Sequence, residues 1–159
     1  MKTLKTFAGV VSTIASVAAV TTGAAVVNAP IASAAPGELI TAEVPTVGQL
    51  DDQVAFLIEL PGSDAAKADH MEGGMGAVVV ARTLYNLGWY RAPLGSNEIT
   101  GPETHNGDVH TAWLRSKSVG KPDLVAEVTW KRIGGVWKLS NNSVCTGVQA
   151  VGLATGCNF

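Results

Sequence analysis

Reactive side chains are scarce in this chain of 159 residues, where Asp, Glu, Lys and Arg make up 15% and aromatic residues 6%. Histidine occurs three times and cysteine twice. Each shortage excludes a class of chemistry. No His-Glu-x-x-His or comparable spacing is present, so no metal centre is expected. No Gly-x-Ser-x-Gly elbow occurs and both cysteines have a structural use, so covalent catalysis has no nucleophile. No Gly-Lys-Ser or Gly-Lys-Thr closes a glycine run, so no P-loop is present and no cofactor is expected. There is no basic stripe either. Lys2 and Lys5 precede the folded part, which then carries nine basic against thirteen acidic side chains, a net charge of −4. That balance argues against nucleic acid or an anionic membrane surface as a partner.

Long apolar runs are missing too, with one exception. Residues 7–27 are apolar and uncharged, with Lys2 and Lys5 before them and Ala32-Ser33-Ala34 after. A basic start, an apolar run and a small-x-small cleavage pattern describe a signal peptide over residues 1–34, cut near Ala34-Ala35. An uncleaved anchor would need about 20 apolar residues, and Ser12, Thr13, Ser16, Thr21 and Thr22 dilute this run. Without a twin arginine or a cysteine at the cut, the expected product is secreted, lipid-free and not stably inserted in a membrane.

The remaining 125 residues suffice for one domain with a real core. Cys145 and Cys157 lie twelve apart, and in an oxidising compartment such a pair is most simply a disulfide. A zinc site would need histidines nearby, and a redox motif would need closer spacing.

Residues 35–44 hold a Pro, a Gly and no lasting periodicity, and read as an extended leader to a domain over 45–159. Thr46 and Gln49 can form a capping box, and Val47, Leu50, Val54, Leu57 and Ile58 then repeat at helical spacing until Pro61-Gly62. Asp51 and Asp52 fall near the positive end of that helix dipole. Residues 63–70 can add one or two helical turns. Ala77, Val80, Ala81, Leu84 and Leu87 predict a second long helix, closed by Gly88. Val78-Val79-Val80 would suit a buried strand, but the length and the cap favour helix. From Trp89 the texture changes. Asn106-Gly107 predicts a hairpin joining residues 96–103 to 108–118. Lys121-Pro122-Asp123 turns into an alternating strand over 124–131, and Gly134-Gly135 into another over 136–140. The last segment reads as a short helix or a turn packed on the sheet. Helices followed by a strand meander predict an α+β domain, with N-terminal helices packed on one face of an antiparallel sheet.

Three motifs in this order, VPTVGQL (44–50), MEGGMG (71–76) and GGVWKLS (134–140), resemble the C-terminal domain of the low-molecular-weight secreted antigen family of mycobacteria and related actinobacteria. The resemblance implies a cone-shaped fold similar to nuclear transport factor 2 and the cystatins, with a curved sheet wrapped around helices. It also implies extracellular release and antigenicity, and carries no established catalytic residues. Val136, an extra residue before Trp137, and the cysteine pair depart from the family pattern.

The glycines of MEGGMG invite a phosphate-loop reading, which fails on spacing. Gly74 and Gly76 fit two positions of the dinucleotide fingerprint, but Val79 stands at the third. Glu72 would also repel a phosphate. The glycines are expected to reverse the chain at positive φ and to bring the second helix close to the first.

Asp69-His70-x-Glu72 is the densest ionisable cluster, and in a loop ahead of a helix its members are expected to be solvated. His105 is expected to be exposed, while His110 can face either a pocket or solvent, on the side of its strand opposite to Trp113. Tyr85, Trp89, Tyr90 and His110 are the candidate ligand-pocket residues, with LGWYRAP (87–93) capping the core at the mouth of the sheet or stacking on a ligand. Gln149-Ala150-Val151-Gly152 falls one residue short of the cystatin inhibitory loop.

The sequence thus reads as a secreted or envelope-associated, antigen-like, non-enzymatic protein that binds an unknown protein or small molecule. One alternative is a small hydrolase or isomerase with an acid or histidine inside the cone. Another is a module that homodimerises through the outer sheet face, which would need a broad apolar patch there.

Overall fold

The first helix, α1 (Val47–Ile58), forms where its cap places it. Thr46 accepts the Gln49 N–H at 3.2 Å, and the Gln49 side chain accepts the Thr46 N–H at 3.0 Å. Leu50, Val54 and Leu57 are buried along one stripe, as the spacing predicts, and Gln53 and Phe56 are buried with them. A short α2 (Asp64–Asp69) follows, capped by Ser63. Then comes α3 (Gly74–Leu87), which includes the three valines and ends at Gly88 with φ +65°. In this computed structural model residues 35–153 and 157–159 are described; they lie within one unit, Ile31–Phe159. The export signal read over residues 1–34 lies outside the described residues. None of the described helices is long and apolar enough to cross a membrane.

The strands are β1 (Gly95–Asn106), β2 (Val109–Ser118), β3 (Leu124–Ile133) and β4 (Val136–Leu139), antiparallel in the order β1-β2-β3-β4. The hairpin turns at Gly107-Asp108, one residue later than the Asn-Gly pair suggests, and β1 runs on beyond residue 103 to Asn106. Its register shifts between Thr100 and Thr104, and pairing then resumes through Asn106↔Val109. Gly134 and Gly135, at φ +61° and +81°, form the two-residue turn into β4, with Val136 paired to Ile133. The extra valine is therefore the first residue of a regular hairpin.

The last segment is helical, α4 (Asn141–Ala150), so the Gln149–Gly152 stretch is a helix end and not an inhibitory loop. β4 covers only part of the β3 edge, and the start of α4 covers the next position. The Thr129 N–H donates to Ser143 Oγ at 2.8 Å, and its carbonyl accepts the Ser140 N–H at 3.0 Å. An open sheet edge is thereby closed by a helix N-terminus. Cys145 and Cys157 form the expected disulfide, which ties α4 to the tail.

The result is the α+β, cone-like arrangement, helices first and an open four-stranded sheet after. Its core has two parts. Ile40, Leu50, Val54, Ile99, Ala112, Val128, Trp130 and Trp137 pack between α1 and the sheet. Leu57, Met71, Ala77, Val80, Ala81, Val144 and Val148 pack between α1, α3 and α4.

Three expectations change. The leader is part of the body, because Ile40 is buried in the core, its carbonyl accepts the Trp137 N–H at 2.9 Å, and the Trp137 indole donates to the Ala42 carbonyl at 2.9 Å. Asp51 accepts the Ile99 N–H at 2.7 Å, so it fastens α1 to β1 as well as lying near the helix start. Gly74 has the positive φ, +53°, that the turn requires. Gly73 and Gly76, however, make room for other neighbours than α1. A Cβ on Gly73 would lie 2.7 Å from Asn141 Oδ1, and one on Gly76 would lie 2.9 Å from Phe159 Cβ.

Candidate functional site

Behind the sheet, α1, α3 and α4 leave a cavity of about 80 Å³. Leu57 and Ile58 line it from α1, Val80 and Leu84 from α3, Leu114 and Val128 from the sheet, and Val144 and Val148 from α4. These side chains converge because each helix turns its apolar stripe toward the same side of the sheet. Among the described residues Ser143 is the only polar side chain in the lining, and its hydroxyl already meets Thr129 and Ser140. No ionisable side chain lines the cavity among the described residues. Such a space can hold an apolar group.

The four residues named from the sequence lie elsewhere, and none of them lines this cavity. The Tyr85 ring carries two cations of the chain itself, Lys67 Nζ at 4.5 Å from its centroid and the Arg91 guanidinium at 4.4 Å. Lys121 Nζ stands 4.0 Å from the Trp89 ring. Those ring faces are already engaged in cation–π contacts. Tyr90 is buried, burial raises the pKa of its hydroxyl, and its carbonyl accepts a bond from Asn97. His110 faces the interior, 1% exposed, with Nε2 at 3.1 Å from Glu103 Oε2. Its Nδ1 has no partner among the described residues. Burial holds this imidazole below its usual pKa, against the opposing pull of Glu103. His105 is exposed as expected, its ring 5.7 Å from that of His110.

The Asp69-His70-x-Glu72 cluster is not a solvated acid–base group. Only Asp69 is exposed, and the other two side chains go separate ways. Glu72 accepts from Lys131 Nζ at 2.7 Å and from the Asn141 N–H at 2.9 Å; these bonds, that from Lys131 first, hold its carboxyl below the usual range. His70 is 1% exposed. Its Nδ1 lies 3.1 Å from Gln53 Nε2 and its Nε2 lies 3.3 Å from the Gly37 carbonyl. Burial, above all, lowers its pKa.

Gln53 is the residue the sequence reading passed over. Its Oε1 accepts the Trp130 indole N–H at 2.8 Å, and its Nε2 donates to the Trp137 carbonyl at 2.9 Å. A lone amide inside the apolar stripe of α1 was the available signal, since a buried polar group needs partners. Lys67 was missed as well. It is buried, and its ammonium donates to the Leu57 and Leu60 carbonyls at the end of α1, while burial lowers its pKa.

The outward side of the sheet is mixed. Along β3 the exposed Val125 and Ile133 are separated by Glu127, Thr129 and Lys131 on the same side. No group of three or more His, Cys, Asp or Glu is placed to hold a metal ion among the described residues.

Comparison with protein families matches residues 43–155 to the low molecular weight antigen MTB12, C-terminal domain. Among curated proteins no sequence matches. The matched span takes in the whole of the helices and sheet described above and all three sequence motifs. The chain belongs to the low molecular weight antigen MTB12 family, whose C-terminal domain it carries.

Proposed function

We propose that this is a secreted, non-enzymatic binding protein that takes the end of an apolar chain into the cavity behind its sheet. One observation carries the reading: the cavity is lined by aliphatic side chains, and the ionisable groups of the interior are committed to contacts elsewhere. A hydrolase or isomerase in a cone of this kind needs an acid or base facing its substrate, and here the lining supports binding alone. The antigen family supports release outside the cell, in keeping with the export signal read from residues 1–34. An engineered apolar cavity of about 150 Å³ binds benzene. A space of about 80 Å³ suits a thin hydrocarbon end better than a ring.

The test is a titration with short n-alkyl alcohols, followed by methyl NMR and thermal melting. Shifts confined to Ala81, Leu84, Val144 and Val148, with a melting temperature that rises with ligand as mass action requires, support the reading. Shifts scattered over the outer surface, or none, refute it. Mass spectrometry of culture supernatant should find a chain beginning at Ala35 or within a residue or two of it. A full-length product retained in the membrane would end the secretion part of the proposal.

A further inference from the structure

Gln53 can satisfy its neighbours in only one orientation. The Trp130 indole N–H can only donate, so Gln53 must present Oε1 to it. Nε2 then points at both the Trp137 carbonyl and His70 Nδ1. It follows that Nδ1 accepts, that the proton of the imidazole sits on Nε2, and that Nε2 donates to the Gly37 carbonyl. The ring is thereby held neutral, in one tautomer.

A second proton on His70 would turn Nδ1 into a donor facing the Gln53 amide donor. Rotating the amide does not help. It would relieve that clash but set Nε2 against the indole N–H and Oε1 against the Trp137 carbonyl, replacing one conflict with two. The surroundings offer little relief. Asp69 favours the charged ring, Lys138 opposes it, and Phe56 lies against it with ring centroids 5.0 Å apart.

What gives way is set by how each part is held. The sheet has its own ladder, and α1 has its own cap. Residues 37–42 have no helix or strand, and beyond the His70 bond they are held by the burial of Ile40, two bonds from Trp137 and a longer one from Arg132. Segments with few buried contacts open first.

We propose that the Gln53–His70–Gly37 chain is an acid-sensitive latch, which fastens residues 37–42 to the domain while the imidazole is neutral and frees them once it is charged, leaving helices and sheet folded. Release uncovers the slot that Ile40 fills against Leu50, Val54 and Trp137, so acidification exposes an apolar surface that is closed at neutral pH. His110, the other buried histidine, is not a part of the latch. It is bonded to Glu103, which favours its charged form against the burial that opposes it.

Hydrogen-exchange protection, corrected for intrinsic rates, tests the latch between about pH 7.5 and about pH 5, the window in which histidine changes charge. The backbone and indole N–H groups of Trp137 should lose protection by about tenfold or more, relative to the Ala112 and Val128 amides of the β2–β3 ladder. His70→Asn, whose amide oxygen can take the place of Nδ1 but cannot charge, should abolish that loss, and His110→Asn should leave it in place. Should His70→Asn fail to fold, the ring of the unaltered protein is titrated by NMR. It should start as the Nε2–H tautomer and gain its charge at the pH where Trp137 opens. Trp137 protection that never falls, that falls together with the ladder, or that falls equally in His70→Asn would overturn the latch. So would a ring that charges while Trp137 stays protected.

Discussion

The two halves of the core are held in different ways. The half between α1 and the sheet is built on Trp130 and Trp137, whose indole N–H groups are both satisfied, by Gln53 and by the Ala42 carbonyl. Its polar atoms fix one arrangement, because a buried donor without an acceptor costs about 1–3 kcal/mol. The half between α3 and α4 contains only aliphatic and methionine side chains among its buried residues, keeps a cavity, and is closed on one side by a helix that buries just Val144 and Val148. A disulfide stands where side-chain packing is thin. The first half specifies a structure, and the second leaves vacant space.

The sharpest way to break this contrast is Trp130→Ala. It removes one of the two largest fully buried side chains of the sheet and leaves Gln53 Oε1 without a donor. Large-to-small changes of this kind cost about 3–5 kcal/mol, and the orphaned amide adds to that, so chemical denaturation should find the protein unfolded or close to it. A loss under about 2 kcal/mol would mean that the network relaxes easily and is not the rigid half.

Cys145→Ala addresses the other half. Opening the disulfide should lower stability by roughly 2–5 kcal/mol. Because the bond ties α4 to the tail, the added exchange should concentrate on Val144 and Val148 and spare the Trp130 side of the core. Thiol labelling of the native protein should find no free sulfhydryl, since both cysteines are paired. Destabilisation spread evenly over both halves would erase the distinction.

How much of this was legible depended on how local the cause was. Thr46 with Gln49, Gly88 and Asn106-Gly107 act within a few residues; the first two do what the sequence predicts, and the third marks the hairpin, with the turn itself at Gly107-Asp108. The anchoring of the leader is not legible because its partner, Trp137, is nearly a hundred residues away, and a Pro-Gly stretch without periodicity gives no sign of it. His70 was misread for a related reason: a polar run before a glycine turn looks solvated until Gln53, Trp130 and Gly37 are brought round it. The cavity had no local signature at all, being what three helices leave over. Tyr85 and Trp89 are conspicuous in the sequence, and the structure sets Lys67 and Arg91 over the Tyr85 ring and Lys121 over that of Trp89.

The glycine turn allows a finer test, since its glycines are small for different reasons. Gly74→Ala should cost about 1 kcal/mol from positive φ alone, because a Cβ there meets nothing. Gly76 has an ordinary φ, and its added Cβ would press on Phe159, so the cost, about 1–3 kcal/mol by overpacking, should appear as displacement of the tail. Equal effects with no change at Phe159 would show that the whole motif is only a turn.

The smallest expected effect is the one that decides between the halves. Ala112 and Ala81 are both almost fully buried, one in the tryptophan half and outside the cavity lining, the other on the wall of the cavity. Adding the same two methyl groups to each, as Ala112→Val and Ala81→Val, holds the chemistry constant and changes only the space available. In a filled core extra methyls force neighbours off their rotamers at about 1–3 kcal/mol, which is the expectation for Ala112. Next to about 80 Å³ of vacant space the added methyls gain contacts without that strain. The helix penalty of a β-branched residue, a few tenths of a kcal/mol up to about 0.7, then offsets part of the gain. Ala81→Val should therefore fall within about 0.5 kcal/mol of the unaltered protein and weaken the binding of short alkyl alcohols. If both substitutions destabilise alike, the second half is packed as tightly as the first and the cavity is no binding site. If Ala81→Val alone is neutral and binding falls, the vacant space and the ligand site are the same place.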